Sequence, residues 1–260
     1  MNIAPLEPVG AVVTDLSLTD ITASAAACLA GHLAEHGVLV FPGQHVDNDT
    51  FVGFLRQFGD LTFTVGETPV AGHPDLNLIS NVGRSTPPKS TFHVDTSYVA
   101  QPPAYTALRA VTIPEQGGAT LFTNQYRAYQ TLPDELRDRL DGRTITHRVT
   151  GLDLDEDAET SADHPVFREH PLTGRRSLYL STPARCVAIS GLDDSTESQV
   201  VMRMLFEHST SEDNTLRHTW SAGDIVMWDN ACVLHKADHS GVVGDRVMHR
   251  GMVAAYPEAG

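Results

Sequence analysis

Three places in the 260-residue chain hold residue types whose spacing suits chemistry. The first is His93-Val94-Asp95. On an extended strand, side chains at i and i+2 face the same way, so an imidazole and a carboxylate project together while Val94 turns away. The second is His235, near the end of a run from Gly223 that reads as two strands joined by a tight turn at Asp229-Asn230. Two neutral imidazoles and one carboxylate make a three-donor set with coordination positions to spare. That set suits non-haem Fe(II), and the same ligands serve a hydrolytic zinc centre. The third is the pair Arg246 and Arg250, four apart and therefore on one strand face. Two guanidiniums in a largely apolar strand are costly unless anions meet them. Arg pairs in bidentate fashion with carboxylates and similar oxyanions, and structural salt bridges are the alternative use.

The elements that must position these groups follow from pattern. Residues 19–36 read as an amphipathic helix stopped by Gly37, and residues 38–41 as a buried strand. A second helix is expected over 51–58, capped by Asp49-Thr50. Strands are expected over 76–80, 105–113, 119–122 (after a Gly117-Gly118 turn), 224–228, 232–235 and 247–255. Helices are expected over 124–130, 133–140 and 193–208, and the acidic stretch 151–165 reads as an irregular loop. That loop lacks the glycine and ligand spacing of an EF-hand. There is no regular β-α alternation, no GxGxxG and no phosphate-binding P-loop, so nucleotide-binding α/β folds have no support. A mainly β chain with flanking helices, a jelly roll formed by one domain over residues 1–260, fits best.

Composition narrows the partners. Eighteen basic and 33 acidic residues give a formal charge of −15, which disfavours nucleic acid and anionic membranes. Hydrophobic residues make up 41%, ordinary for a globular protein, and no apolar run is long enough to span a bilayer. The N-terminal segment lacks the basic and apolar regions of a signal peptide. Three cysteines, Cys28, Cys186 and Cys232, are too few and too widely spaced for a disulfide framework and fit a reducing cytoplasm.

The motifs together resemble the taurine dioxygenase (TauD/TfdA) family of Fe(II)- and 2-oxoglutarate-dependent oxygenases. The resemblance runs through VLVFPGQ at 38–44, FHVDTSY at 92–98, the run at 102–108, GGATLFTN at 117–124, GDIVMWDN at 223–230, His235 and DRVMHR at 245–250. It implies a double-stranded β-helix, and a C–H oxidation that consumes O2 and 2-oxoglutarate and releases succinate and CO2. Residue by residue, it implies that His93, Asp95 and His235 hold Fe(II). It implies that Thr120 and Arg246 take the far carboxylate of 2-oxoglutarate, and that Arg250 shares that task or grips a carboxylate or sulfonate of a small substrate. Asn81, Tyr98 and Lys89, with Arg84 and His73, stand in segments expected to border the metal. A carboxylate at position 95 argues against halogenation; desaturation, epoxidation and cyclisation stay open beside hydroxylation. Family members are often oligomers, so a homo-oligomer is an open expectation. Two departures stand out: Phe92 where many relatives have Trp, and Ala231 where many have Arg.

Overall fold

The computed structural model of the chain describes residues 1–84, 90–151, 154, 158–192 and 195–257; Lys89 lies outside the described residues. The larger sheet runs in the order Asn2–Pro5, Ala11–Thr14, Val38–Phe41, Ile225–Asp229, Tyr105–Thr112, Val247–Val253, His73–Ser80 and Pro69–Val70. Leu61–Thr62 also pairs with Val247–Val253. A smaller sheet joins Thr215–His218, Thr120–Asn124 and Val233–Ala237. Its strands are antiparallel, as are those of the larger sheet apart from the parallel pair Ala11–Thr14 and Val38–Phe41.

Side-chain alternation builds two cores from the larger sheet. Leu39, Phe41, Ile225, Met227, Tyr105 and Ala107 pack under α1 (Ala23–His36) and α2 (Asn48–Arg56). Val38, Val40, Val226, Trp228, Leu108 and Met248 turn the other way and meet Phe122 and Val233 of the smaller sheet. Burial on both faces is why VLVF and IVMWD are near-continuous apolar runs. The two facing sheets form the jelly roll that the sequence implied. A third layer packs α3 (Gln125–Gln130), α4 (Asp134–Leu140) and α5 (Ser195–Ser209) with the strands Thr144–Arg148 and Cys186–Ile189.

Several boundaries differ from the sequence reading. Residues 18–20 form a separate 3-10 turn, and α1 starts after Thr22, whose hydroxyl accepts from Ala25 N–H. The second helix begins earlier than expected because Asp47, not Asp49, caps it. The chain opens with the strands Asn2–Pro5 and Ala11–Thr14 ahead of any helix. The end of the acidic stretch is no loop: Ser161–Pro165 pairs with Thr144–Arg148.

Gly251 shows how closely α2 lies on the sheet. A Cβ there would stand 2.2 Å from Leu55 Cδ1 and 3.1 Å from Leu76 Cδ2. Gly251→Ala is therefore expected to cost ~1–3 kcal/mol through overpacking. At this chain length that lowers the thermal midpoint by several degrees, roughly 2–4 °C per kcal/mol. An unchanged midpoint would show that α2 can shift freely.

Candidate active site

His93 and His235 are brought together by backbone, across 142 positions of sequence. His93 N–H donates to His235 C=O and His235 N–H to His93 C=O, each at 3.0 Å. His93 thus extends the smaller sheet by one residue. The strand ends there, and Asp95 stands at the entry of a turn whose next residue, Thr96, has φ +48°. This replaces the extended strand expected through Asp95, yet the carboxylate still reaches both rings. Asp95 Oδ1 is 3.6 Å from His93 Nε2, and Oδ2 is 3.7 Å from His235 Nε2. The ring centroids of His93 and His235 are 4.3 Å apart.

Each donor is held from behind. His93 Nδ1 lies 2.8 Å from Thr91 C=O, which fixes the proton on Nδ1 and leaves the Nε2 lone pair facing Asp95. The His235 ring packs on Trp228 at 4.5 Å between centroids. Burial pushes its pKa down to about 3 against the pull of Asp95, so the ring is neutral at neutral pH. Thr106 Oγ1 donates to Asp95 Oδ2 at 2.9 Å, and Asn230 Nδ2 donates to Thr106 Oγ1 at 2.9 Å. Burial works to raise the Asp95 carboxyl, but Arg250 and the two imidazoles outweigh it and hold it well below the usual carboxylate range. Two neutral imidazoles and one ionised carboxylate are the donors a divalent iron ion takes, and the three residues fit such an ion.

The two arginines have different surroundings. Arg250 donates to Asp95 Oδ1 at 3.1 Å and to Glu67 Oε2 at 2.5 Å. Its charge is already met by two carboxylates. Arg246 is 2% exposed and has no carboxylate within ion-pair distance among the described residues. Its Nε donates to Gly118 C=O at 2.9 Å and Nη2 to Thr120 Oγ1 at 3.4 Å. Burial alone draws its pKa down to about 10. Trp220 Nε1 also donates to Thr120 Oγ1, at 3.0 Å, so that hydroxyl accepts twice and its own proton is left to donate. Gly118, at φ +74°, makes room: a Cβ there would meet Arg246 Cδ at 3.0 Å.

Arg246 opens onto a cavity of about 320 Å³ shared with Asn81, Arg84, His239 and Glu67. Asn81 braces it, accepting from Arg246 N–H at 2.7 Å and donating to Gly244 C=O at 3.0 Å. Tyr98 lines a different, mainly apolar cavity of about 270 Å³ with Phe63, Val65, Thr96 and Met252. Thr64 accepts from Arg250 Nη2 at 3.3 Å and stands 3.3 Å from Thr96 Oγ1. His73 faces Asp49 at 3.1 Å on the α2 side of the larger sheet, away from the three donors. His249 likewise turns to that side, to Asn48 and Arg109.

Glu67, Thr106, Trp220 and His239 were not singled out by sequence. Each acts through a contact distant in sequence, and only a partner for the buried Arg250 could have been sought. Asp229 does more than form the turn assigned to it. Its carboxylate accepts from Ala231 N–H at 2.9 Å and from Tyr256 Oη at 2.5 Å, and lies 2.9 Å from His170 Nε2. His170 and Tyr256 thereby satisfy a buried carboxylate two residues before Ala231.

Comparison with known proteins identifies the family. The sequence matches the taurine catabolism dioxygenase TauD, TfdA family over residues 2–252. It is 33% identical over 239 residues to a pentalenolactone F synthase of Streptomyces avermitilis, covering 78% of this chain and 76% of that one. It is 28% identical over 278 residues to an (S)-phenoxypropionate/alpha-ketoglutarate-dioxygenase of Sphingobium herbicidovorans, covering 98% and 96%. The crystal structure of a taurine dioxygenase from Burkholderia xenovorans superposes with a TM-score of 0.85 at 32% identity, covering 98% of this chain and 90% of that one. The chain therefore belongs to the taurine catabolism dioxygenase TauD, TfdA family, and is an alpha-ketoglutarate-dependent dioxygenase (alpha-ketoglutarate being 2-oxoglutarate).

Proposed function

We propose that His93, Asp95 and His235 hold Fe(II), and that Arg246 and Thr120 take the far carboxylate of 2-oxoglutarate. In this reading a single domain oxidises a C–H bond of a small anionic substrate. A bound iron would supply the site for O2 reduction coupled to loss of CO2 from 2-oxoglutarate, one oxygen atom going to succinate and the other to the product in a hydroxylation or epoxidation, or to water in a desaturation or ring closure. The observation that carries the reading is the unpaired Arg246. A buried guanidinium without a carboxylate is costly unless a ligand completes it, and Thr120 offers the matching hydroxyl.

The chain's own residues have distinct tasks. Thr106 and Arg250 keep Asp95 ionised and oriented. Trp228 excludes water from the inner face of His235. Relatives named for sulfonates, sulfate esters and phenoxypropionate support an anionic substrate. The relation to pentalenolactone F synthase supports a biosynthetic version of the same chemistry, with desaturation, epoxidation or cyclisation as its outcome. Three cysteines without a disulfide support a reducing, cytoplasmic setting. No helix among the described residues is long and apolar enough to cross a membrane.

Such a substrate would meet competition at Arg250, where Glu67 already occupies one nitrogen. Glu67 is 30% exposed, so the pair is partly screened. Glu67→Gln is expected to lower KM for an anionic substrate about three- to tenfold, with kcat little changed. A higher KM for the same substrate would mean that Glu67 binds substrate itself and does not compete with it. The reading as a whole is tested by incubating the protein with Fe(II), ascorbate and 2-oxoglutarate against sulfonates, carboxylates and sulfate esters while succinate is measured. Succinate release that one class stimulates, and that chelation abolishes, is expected. Absence of succinate with every class, together with zinc-dependent hydrolysis, would replace it.

A further inference from the structure

A second group of side chains, remote from the three donors, has the composition of a metal site. His32, Glu35 and His36 lie at i, i+3 and i+4 in the last turns of α1, with their ligand atoms all within 4.8 Å of one another. Positions three and four apart share one helix face, so the backbone itself sets this proximity. The two rings lie 5.9 Å apart and nearly parallel, at 17°. His36 Nε2 stands 3.8 Å from Glu35 Oε2.

A further observation points to a ligand. His32 Nδ1 is buried and has no hydrogen-bond partner in the structure. Arg175 is tied elsewhere, donating to Glu35 C=O at 2.9 Å and stacking over Tyr126 at 3.8 Å. It adds positive charge nearby, which Glu35 offsets.

We propose that His32, Glu35 and His36 form a peripheral site for a borderline divalent ion of the Zn(II) type, separate from the iron site. Two imidazoles and one carboxylate, with water in the fourth position, are ordinary zinc ligands. Ligand atoms sharing one zinc at 2.0–2.1 Å stand about 3.3 Å apart, so rotations of these side chains need close the set by about 1.5 Å at most. The ion would tie the last turn of α1 just before Gly37, where φ +77° turns the chain into Val38–Phe41. It would sit on the α1 side of the larger sheet, whereas His93, Asp95 and His235 lie toward the smaller sheet. The inference does not depend on the iron reading.

The test counts zinc bound to the full chain by equilibrium dialysis against a chromophoric chelator. Wild type, H32Q/H36Q and H93A/H235A are compared. Gln keeps helix propensity, so H32Q/H36Q preserves α1. Two equivalents are expected for wild type and one for each double variant, and zinc should raise the Tm of wild type more than that of H32Q/H36Q. Zinc binding by H32Q/H36Q equal to wild type in number and affinity would overturn the proposal, as would a folded H93A/H235A that binds none. If H93A/H235A does not fold, wild type against H32Q/H36Q decides alone.

Discussion

Replacing Arg246 by Met is expected to weaken 2-oxoglutarate binding by roughly 10²–10⁴-fold, because losing one partner of a buried ion pair costs ~3–5 kcal/mol and each 1.4 kcal/mol is tenfold. The same substitution is expected to leave the ligand-free protein as stable as wild type, or more so. Arg246 is 2% exposed, meets carbonyl and hydroxyl oxygens but no carboxylate among the described residues, and its pKa is drawn down to about 10 by burial. An apolar side chain of similar length removes that cost. Two measurements check the pair of outcomes: the Kd for 2-oxoglutarate of the metal-loaded protein, and the Tm with and without it. Wild type should gain stability on binding, and Arg246→Met should lose most of the gain while keeping its own Tm. A Kd within threefold of wild type would mean that another cation takes the carboxylate. Arg84, on the same cavity, would be the next candidate.

Asp95→Asn carries the second large effect. The substitution keeps shape and the acceptor for Thr106 but removes the charge that faces both imidazoles. Loss of a residue that only supports a metal ligand already costs ~10–100-fold in affinity or activity. Loss of a charged ligand should exceed that, so iron affinity and succinate formation are expected to fall by more than ~100-fold. Arg250 would still be met by Glu67, so the buried guanidinium is not left bare and the fold should survive. Thr106→Val is the graded control: it leaves the Asp95 charge in place, removes the bond at 2.9 Å behind it together with the acceptor for Asn230 Nδ2, and should fall within the ~10–100-fold range. Iron affinity is read by chelator competition and activity by succinate. An Asp95→Asn protein that holds iron as wild type does would remove Asp95 from the site.

Much of this was legible in the sequence, and the reasons differ by residue. His93 and Asp95 are close in sequence, so an i, i+2 spacing exposes them even though the chain turns at Asp95 instead of running on as a strand. His235 stood out as the end of a strand-turn-strand run from Gly223, but the two-bond backbone bridge that sets it beside His93 is encoded by no local pattern; the family resemblance joined the three. The unequal standing of the two arginines was not legible. It depends on Glu67, in the polar loop Thr64-Val65-Gly66-Glu67, which reaches Arg250 only once Leu61–Thr62 has paired with the end of Val247–Val253. The long apolar strands were visible because both faces are buried. Ser161–Pro165, Phe167–Glu169 and Arg176–Leu178 were not, because they are short and rich in charged and polar residues. Their polar side chains include His164, which is buried and bonded to Ser97 C=O at 2.9 Å.

The most direct test is an anaerobic titration of 2-oxoglutarate into the Fe(II)-loaded wild-type chain, followed by the visible charge-transfer absorption that arises when a 2-oxo acid chelates ferrous iron. The prediction is a saturable band at one equivalent of iron, absent from Asp95→Asn and requiring far more 2-oxoglutarate in Arg246→Met. No band in wild type, or the same titration curve in all three proteins, would contradict the assignment of His93, Asp95, His235 and Arg246.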